Sequence, residues 1–200
     1  MGVGQRFGRM AAGLALCGVV VLSCAKQPAP SIAPRLAEPL TAPRGYIAFC
    51  TREPQFCDGH GPRSVRLTGA RWAELLQVND EVNGRLKPAP DQAPVGMADD
   101  WEIPTGAAAA DCEDYVLAKK LQLLALGWPG PALRIAVVEV PGRRSERRRH
   151  AVLLADTDKG IFVLDNLSRL VTGWSATQYR WIEVQVSTDP DSWQRVRPGG

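Results

Sequence analysis

Four apolar segments rich in β-branched residues follow one another in the second half of this 200-residue chain, and they constrain its fold more than any other feature. Turn-forming residues separate most of them, including Pro141-Gly142 and Asp158-Lys159-Gly160. Because short turns of this kind join neighbouring strands, we expect an antiparallel sheet. The segments are LRIAVVEV (133–140), HAVLLAD (150–156), GIFVLDN (160–166) and YRWIEVQV (179–186).

Two helical patterns precede these strands. From Thr68 to Arg85 apolar residues recur at near-helical spacing, and Thr68 can serve as the N-cap. A second apolar stripe begins at Cys112, where Asp111 can cap the helix and Gly127 can end it. Helices followed by strands in hairpin order indicate an α+β domain in which a helix packs on the sheet.

The first 23 residues have the organisation of a secretory signal. Arg6 and Arg9 precede thirteen uncharged residues, whereas a bilayer-spanning helix needs about 20. The segment ends in Val-Leu-Ser before Cys24, which resembles a lipoprotein cleavage box, so that a lipid on Cys24 would anchor the protein to a membrane. The alternative is ordinary signal cleavage with Cys24 incidental. In both cases we expect an exported, periplasmic protein.

The rest of the chain divides into three parts. Residues 24–43 are rich in proline and alanine without a periodic apolar pattern, which predicts an extended tether. Residues 44–187 are predicted to form the folded domain, and residues 188–200 a C-terminal tail. Removing residues 1–23 takes away two of 24 basic residues and no acid, which leaves 22 basic against 21 acidic residues. A net charge near +1 argues against general nucleic-acid binding.

Three cysteines lie in the predicted domain. In an oxidising compartment Cys50 and Cys57 are close enough in sequence to form a local disulfide, which leaves Cys112 unpaired. The alternative is that all three are reduced and buried, since free cysteine packs as a small hydrophobe.

Cys112 also belongs to a set of residues that suits thiol catalysis. A thiol protease needs an accessible thiolate, a histidine that transfers its proton and an acceptor that orients the histidine. Cys112 starts the predicted helix, where unpaired N–H groups and the helix dipole favour a thiolate. His150, one of only two histidines, begins a strand and Asp165 ends the next strand, so the pair can face each other.

Three blocks carry a resemblance to a known family: DCEDYVLAKK around Cys112, RHAVLL around His150 and VLDN around Asp165. With DDWEIP and PRGYIAFCTREPQFC upstream, they resemble the signature blocks of the bacterial transglutaminase-like cysteine peptidases over residues 43–186. The resemblance implies a papain-like, transglutaminase-like fold. It also implies Cys112 as nucleophile, His150 as general base and then acid, and Asp165 as the group that holds the imidazole.

The resemblance implies a metal ion as well. In the adhesin-processing members calcium binds carboxylates beside the nucleophile, and here Asp111 and Glu113 occupy those positions, with Asp114 a further candidate. Bound Ca²⁺ would offset the repulsion between these carboxylates and a thiolate. The alternative needs no metal, because the helix dipole favours acidic residues in the first turn. No organic cofactor is expected.

The implied activity is that of an endopeptidase acting on a periplasmic or surface protein. A large surface adhesin is the implied kind of substrate, and an inner-membrane cyclic-dinucleotide receptor the implied kind of partner. Two other functions stay open. A transglutaminase-type enzyme would use the same triad to pass the acyl group to an amine, and a binding module would keep the fold without turnover.

The sequence departs from the family in two places. Ala110 stands where a glycine usually precedes the Asp-Cys pair, and its methyl group could narrow the approach to the nucleophile. Five arginines lie within residues 143–149, where the family needs no such cluster. Three interpretations of this cluster stay open. It forms a solvated hairpin loop, it binds an acidic substrate or lipid headgroups, or it helps to lower the pKa of His150.

Overall fold

The computed structural model describes residues 1–2, 33–89, 101–141, 147–187 and 189–197. Apart from its first two residues, the predicted signal therefore lies outside the described residues, as does the predicted processing site at Cys24. Arg143 and Arg144 of the arginine cluster also lie outside them. Within the described ranges no helix is long and apolar enough to cross a membrane.

The described residues form three α-helices and two β-sheets. The helices are α1 (Arg44–Arg52), α2 (Gly69–Arg85) and α3 (Cys112–Ala125), and short 3-10 turns cover Pro54–Phe56, Gly130–Ala132 and Trp174–Ala176. The strands are β1 (Leu36–Thr41), β2 (Lys87–Pro88), β3 (Ala109–Ala110), β4 (Leu133–Pro141), β5 (Arg147–Thr157), β6 (Gly160–Leu164), β7 (Thr172–Gly173), β8 (Arg180–Val186) and β9 (Asp189–Val196).

Seven of these strands form the main sheet, in the order β1-β9-β8-β4-β5-β6-β7. All of its neighbouring strands are antiparallel. The short strands β2 and β3 pair separately and in parallel. The four strand segments predicted from the sequence correspond to β4, β5, β6 and β8, and their antiparallel pairing is confirmed.

Local signals in the sequence set the bounds of the two long helices. At the start of α2 the Thr68 hydroxyl accepts a hydrogen bond from the backbone N–H of Arg71 at 3.2 Å. At the start of α3, Asp111 and Asp114 form a capping box in which each side chain accepts from the other's backbone N–H. Gly127 follows α3 with φ of 78°, a left-handed conformation that favours glycine. The predicted caps and helices are confirmed.

Side chains of the main sheet are buried on both faces. Along β5, Ala151, Leu153 and Ala155 pack in a cluster that includes residues of all three helices. Val152 and Leu154, which point the other way, belong to a second cluster. Burial on both faces explains why the strand segments are almost continuously apolar. The α+β architecture, with α3 packed on an antiparallel sheet, is confirmed.

Two strands lie where the sequence predicted a tether and a tail. β1 falls within the predicted tether 24–43 and β9 within the predicted tail 188–200. They pair with each other, and β9 also pairs with β8, so these two predictions were wrong for the paired residues. Pro39 and Pro190 argued against strands in these two segments. Proline is nevertheless tolerated in an edge strand such as β1 and near the start of a strand, as in β9. The fully buried Trp193 holds β9 in the core.

The predicted disulfide joins Cys50 of α1 to Cys57, so the alternative of three reduced cysteines is wrong. From the end of α1, the Arg52 guanidinium donates a hydrogen bond to the carbonyl oxygen of Trp101 at 2.8 Å. The next backbone N–H, that of Glu102, donates to Asp114 Oδ1 at 3.2 Å. The disulfide-bonded segment is thereby connected to the first turn of α3.

Candidate active site

A cleft of about 260 Å³ opens between the start of α3 and the first residues of β5. Cys112 lies on the helix side of this cleft and His150 on the strand side. Ala110, which stands in place of the usual glycine, is almost fully buried and forms part of the wall. The other lining residues are Pro88, Ala89, Asp111, Arg148, Arg149, Asn166 and Leu167.

Cys112 is the first residue of α3 and is partly buried. Its Sγ donates a hydrogen bond to Glu113 Oε2 at 2.9 Å. Burial raises the pKa of the thiol, and the charge and hydrogen bond of Glu113 raise it further, while a hydrogen bond from the Ala151 backbone acts in the opposite direction. We expected the start of the helix to favour a thiolate. Burial and the adjacent carboxylate outweigh that effect, so the neutral thiol is favoured.

Three carboxyl groups crowd this first turn of α3. Burial raises the pKa of Glu113 to about 7, and the charge of Asp111 adds to the rise. Burial also raises the pKa of Asp114 to about 6, again with a contribution from Asp111. The charge of Asp111 thus acts on both of these carboxyl groups. The partly buried carboxyl groups of Glu113 and Asp114 therefore lie where water solvates a negative charge less well than at the surface.

The three carboxyl groups differ in how many of their oxygens accept hydrogen bonds from the protein. Both oxygens of Asp114 accept backbone N–H groups, from Glu102 at 3.2 Å and from Asp111 at 3.4 Å. In the described part of the chain, no group of three or more His, Cys, Asp or Glu side chains is arranged to hold a metal ion. Asp111 accepts the backbone N–H of Asp114 with Oδ1, and Glu113 accepts the Cys112 thiol with Oε2, so in the described hydrogen bonds Asp111 and Glu113 each use one oxygen where Asp114 uses both. Carboxylate oxygens are ligands of the kind that Ca²⁺ prefers.

His150 and Asp165 form the strand side of the site. His150 Nε2 lies 2.7 Å from Asp165 Oδ1, and the side chains are 3% and 2% exposed. Asp165 Oδ1 also accepts the backbone N–H of Leu167 at 2.9 Å, and Oδ2 accepts the Tyr179 hydroxyl. Burial alone would raise the pKa of Asp165, but the hydrogen bond and charge of His150, with these further donors, lower it overall. Asp165 is thus held as a carboxylate.

Two amides of α2 hold the loop that carries Asp165. Asn79, fully buried, accepts the backbone N–H of Asp165 at 3.1 Å and donates to the carbonyl oxygens of Ser168 and Arg169. Asn83 donates to the carbonyl oxygen of Asp165 at 2.8 Å. Neither asparagine was predicted from the sequence. Their four-residue spacing on one helix face, next to buried valines, was the available signal.

The structure brings together the residues that the sequence singled out. Cys112 and His150 line one cleft, and His150 contacts Asp165. Asp111 and Glu113 flank Cys112 on either side along the chain. Their roles in catalysis and in metal binding stay predictions.

Residues 36–199 match the model of a protein family described as bacterial transglutaminase-like cysteine proteinase BTLCP. No curated protein matches the chain. Among solved structures, three of LapG from Legionella pneumophila are similar to it. The calcium-bound structure is 19% identical over 70% of this chain and 74% of that chain, with a TM-score of 0.47. The EGTA-treated structure is 20% identical over 70% and 72%, with a TM-score of 0.47, and a third is 21% identical over 70% and 72%, with a TM-score of 0.45.

Proposed function

The chain belongs to the bacterial transglutaminase-like cysteine proteinases, a family of cysteine peptidases with a transglutaminase-like fold, and from that membership we propose a more specific function. The protein is an exported endopeptidase that cuts a protein substrate with a triad of Cys112, His150 and Asp165. The observation that supports the triad best is the buried contact between His150 and Asp165, next to the cleft that Cys112 lines.

The contact with Asp165 assigns the two nitrogens of His150 to different tasks. Because Asp165 accepts at Nε2, that nitrogen carries the proton and Nδ1 is left as the base. Nδ1 takes the proton of Cys112, and the sulfur attacks the substrate carbonyl carbon. The backbone N–H of Cys112, at the start of α3, would stabilise the oxyanion that forms.

The same histidine then completes the reaction. His150 returns its proton to the leaving amine, which releases the first product and leaves a thioester on Cys112. A water molecule, deprotonated by His150, attacks the thioester and releases the second product with a new carboxyl group. Asp165 stays ionised throughout, since its hydrogen bonds and the imidazolium stabilise its charge.

Calcium is the second part of the proposal, with Asp111 and Glu113 as the residues that would hold it. Asp111 is the N-cap of α3 and Glu113 lies in its first turn, so the two carboxyl groups stand on either side of Cys112 along the chain. Because Ca²⁺ takes about 6–8 oxygen ligands, water and further oxygens would complete its coordination. When bound, the ion would offset the negative charge that opposes thiolate formation at Cys112.

The cellular setting rests on the sequence. We propose that residues 1–23 direct export to the periplasm and that Cys24 carries a lipid that anchors the protein to a membrane. A large surface adhesin is the proposed kind of substrate, and an inner-membrane cyclic-dinucleotide receptor the proposed kind of regulatory partner. Radiolabelled palmitate incorporation into the wild type and into Cys24→Ala tests the anchor.

The reactivity of Cys112 tests the triad. The purified protein is alkylated with iodoacetamide from pH 4 to 10, with calcium and with chelator, and the Cys112 peptide is quantified by mass spectrometry. His150→Ala is measured in parallel. We expect Cys112 to react well below the ordinary thiol pKa of about 8.5 when calcium is present, and to lose that reactivity without His150.

The opposite result has a clear meaning. If Cys112 stays inert in every condition, or titrates like an ordinary thiol with and without His150, it is a packing residue and the fold serves a binding module. If reactivity depends on His150 but not on calcium, the triad stands and the calcium site is wrong.

A further inference from the structure

The loop that follows β6 connects Asp165 to the wall of the cleft. Leu167, two residues after Asp165, lines the same cleft as Cys112. The backbone N–H of Leu167 donates to Asp165 Oδ1 at 2.9 Å, and His150 Nε2 lies 2.7 Å from the same oxygen. Leu167 and His150 are thus held by one carboxylate oxygen, which places Leu167 on the histidine side of the cleft.

Hydrogen bonds fix the loop on the far side of Leu167 as well. Asn79 and Asn83 of α2 both donate to the carbonyl oxygen of Ser168, at 3.1 Å and 3.2 Å. The Ser168 hydroxyl in turn accepts the backbone N–H of Leu170 at 3.1 Å. Because the residues on both sides of Leu167 are held by the fold, its position does not depend on a bound substrate.

Leu167 is an apolar side chain that the protein leaves half uncovered. It is 50% exposed, whereas the apolar side chains of the core are at most 8% exposed. Among the described residues that line the cleft it is the only large aliphatic one, since the other apolar residues there are Pro88, Ala89 and Ala110. Single exposed leucines are common on protein surfaces, but this one lies in the wall of a concave site. An apolar group bound in the cleft would remove part of its surface from water.

The proposed mechanism sets the direction of the substrate in the cleft. The acyl carbon bonds to the sulfur of Cys112, and His150 returns its proton to the leaving amine. The residue that carries this amine is the one directly after the cut. It therefore lies on the histidine side, where Leu167 is.

We propose that Leu167 selects a substrate with an aliphatic side chain on the residue directly after the cut. This rests on the proposed function, because it assigns a substrate feature to the same cleft. The side chain of that residue packs against Leu167 while its nitrogen lies at His150. The contact involves no charge, so salt does not screen it.

Acyl transfer to amino-acid amides tests this contact without a known substrate. The Cys112 sulfur attacks the carbonyl carbon of p-nitrophenyl acetate, and nitrophenolate leaves. The amine of leucinamide or asparaginamide then attacks the thioester, His150 takes the amine proton and returns it to the departing sulfur, and the N-acetylated amide is released. Because the acceptor amine enters where a leaving amine departs, its side chain occupies the position after the cut.

Leucinamide and asparaginamide have side chains of nearly equal size, and only the first is apolar. Both compete in one mixture, the two N-acetylated products are quantified by mass spectrometry, and the amounts formed with Cys112→Ala are subtracted. We expect the leucinamide-to-asparaginamide product ratio to fall about three- to tenfold from the wild type to Leu167→Asn. Leu167→Ala, which keeps part of the apolar surface, should lower the ratio by a smaller factor, and it decides the test if Leu167→Asn does not fold.

Leu170→Asn is the matched control. Leu170 is a leucine of the same loop and is 70% exposed, but it is not among the residues that line the cleft. Its product ratio should equal that of the wild type. Equal ratios in the wild type and the Leu167 variants, or an equal fall in Leu170→Asn, would overturn the inference.

Two further outcomes separate the inference from the proposed function. If the wild type and Cys112→Ala release nitrophenolate at the same rate, Cys112 is not a nucleophile, and the proposed function and the inference both fail. If release depends on Cys112 but only acetate and no acetylated amide forms, the thioester is hydrolysed without a residue bound on the histidine side. In that case the proposed function stands and the inference alone is wrong.

Discussion

The strand side and the helix side of the candidate active site differ in how completely their polar groups are satisfied. On the strand side, His150, the Leu167 backbone and Tyr179 all donate to Asp165, and α2 holds the loop that carries it. On the helix side, the hydrogen-bond acceptor of the Cys112 thiol is a carboxylate, and the charges next to it oppose a thiolate.

This difference indicates what each side still needs. The strand side is preorganised, since its hydrogen bonds exist before any substrate arrives. The helix side has neighbouring carboxyl groups that raise the pKa of Cys112, and in the proposed mechanism a cation or the imidazolium of His150 offsets their charge. We therefore expect variants on the strand side to lose activity or stability, and variants on the helix side to change the reactivity of the Cys112 thiol.

The largest effect is expected on the strand side, for Asp165→Asn. The variant keeps the shape of Asp165 but removes the charge that, in the proposed triad, orients and stabilises the His150 imidazolium. Peptidase activity should fall on the order of 10³- to 10⁴-fold. Asp80→Asn is the control, because Asp80 is an exposed aspartate paired with Arg169 and makes no described hydrogen bond to His150. Loss of less than tenfold in Asp165→Asn contradicts the triad.

Asn79→Ala should damage the fold of the same side. It removes the hydrogen bonds that tie α2 to the loop of Asp165 and leaves buried backbone groups unpaired. We expect the free energy of unfolding in urea to fall by about 2–3 kcal/mol. Gln77→Ala is the control, since Gln77 is exposed on the same helix and contacts only Glu81 in the described hydrogen bonds. Equal stability of the two variants contradicts the role of Asn79.

Glu113→Gln should act in the opposite direction on the helix side. Removing this charge lowers the pKa of Cys112, because Glu113 now raises it. In chelator at pH 8, iodoacetamide alkylation of Cys112 should become about tenfold faster. Glu102→Gln, an exposed charge that does not contact the thiol, should change the rate much less. Slower alkylation in Glu113→Gln would show that the carboxylate helps rather than hinders the thiol.

Tyr179→Phe should give the smallest effect. It removes one of the donors to Asp165, so the pKa of Asp165 rises from its lowered position. A lowered carboxyl pKa stabilises the fold above the unfolded value of about 3.9 and loses that contribution as pH falls through the folded pKa. The acid unfolding midpoint should therefore move to higher pH, with activity reduced about threefold. An unchanged acid midpoint contradicts this role of Tyr179.

Sequence patterns predicted best the features that depend on local chemistry. Thr68 and Asp111 are capping residues, and Gly127 is a residue that ends helices, so α2 and α3 could be placed from neighbouring residues alone. Cys112, His150 and Asp165 could be assigned to elements for the same reason. Their convergence followed from a helix packed on adjacent antiparallel strands.

Features that depend on distant partners could not be predicted in this way. The edge strand β1 exists because β9 pairs with it, and the prolines in both segments argued against strands. Asn79 is a polar residue within an apolar stripe, and nothing local indicates which loop it holds. The pKa of Cys112 is raised because burial and Glu113 outweigh the start of the helix, and burial is set by the whole fold.

The pairing of β1 with β9 has a consequence for the order of folding events. Leu36 pairs with Val196, and in the main sheet β1 touches no strand other than β9. A chain that enters the periplasm with its N-terminus first therefore carries β1 without its partner strand until β9 has followed. Pairings between such distant residues slow folding, and unpaired strand edges favour aggregation. We expect mature chains truncated before β9 to be protease-sensitive, and chains that include all of β9 to be protease-resistant.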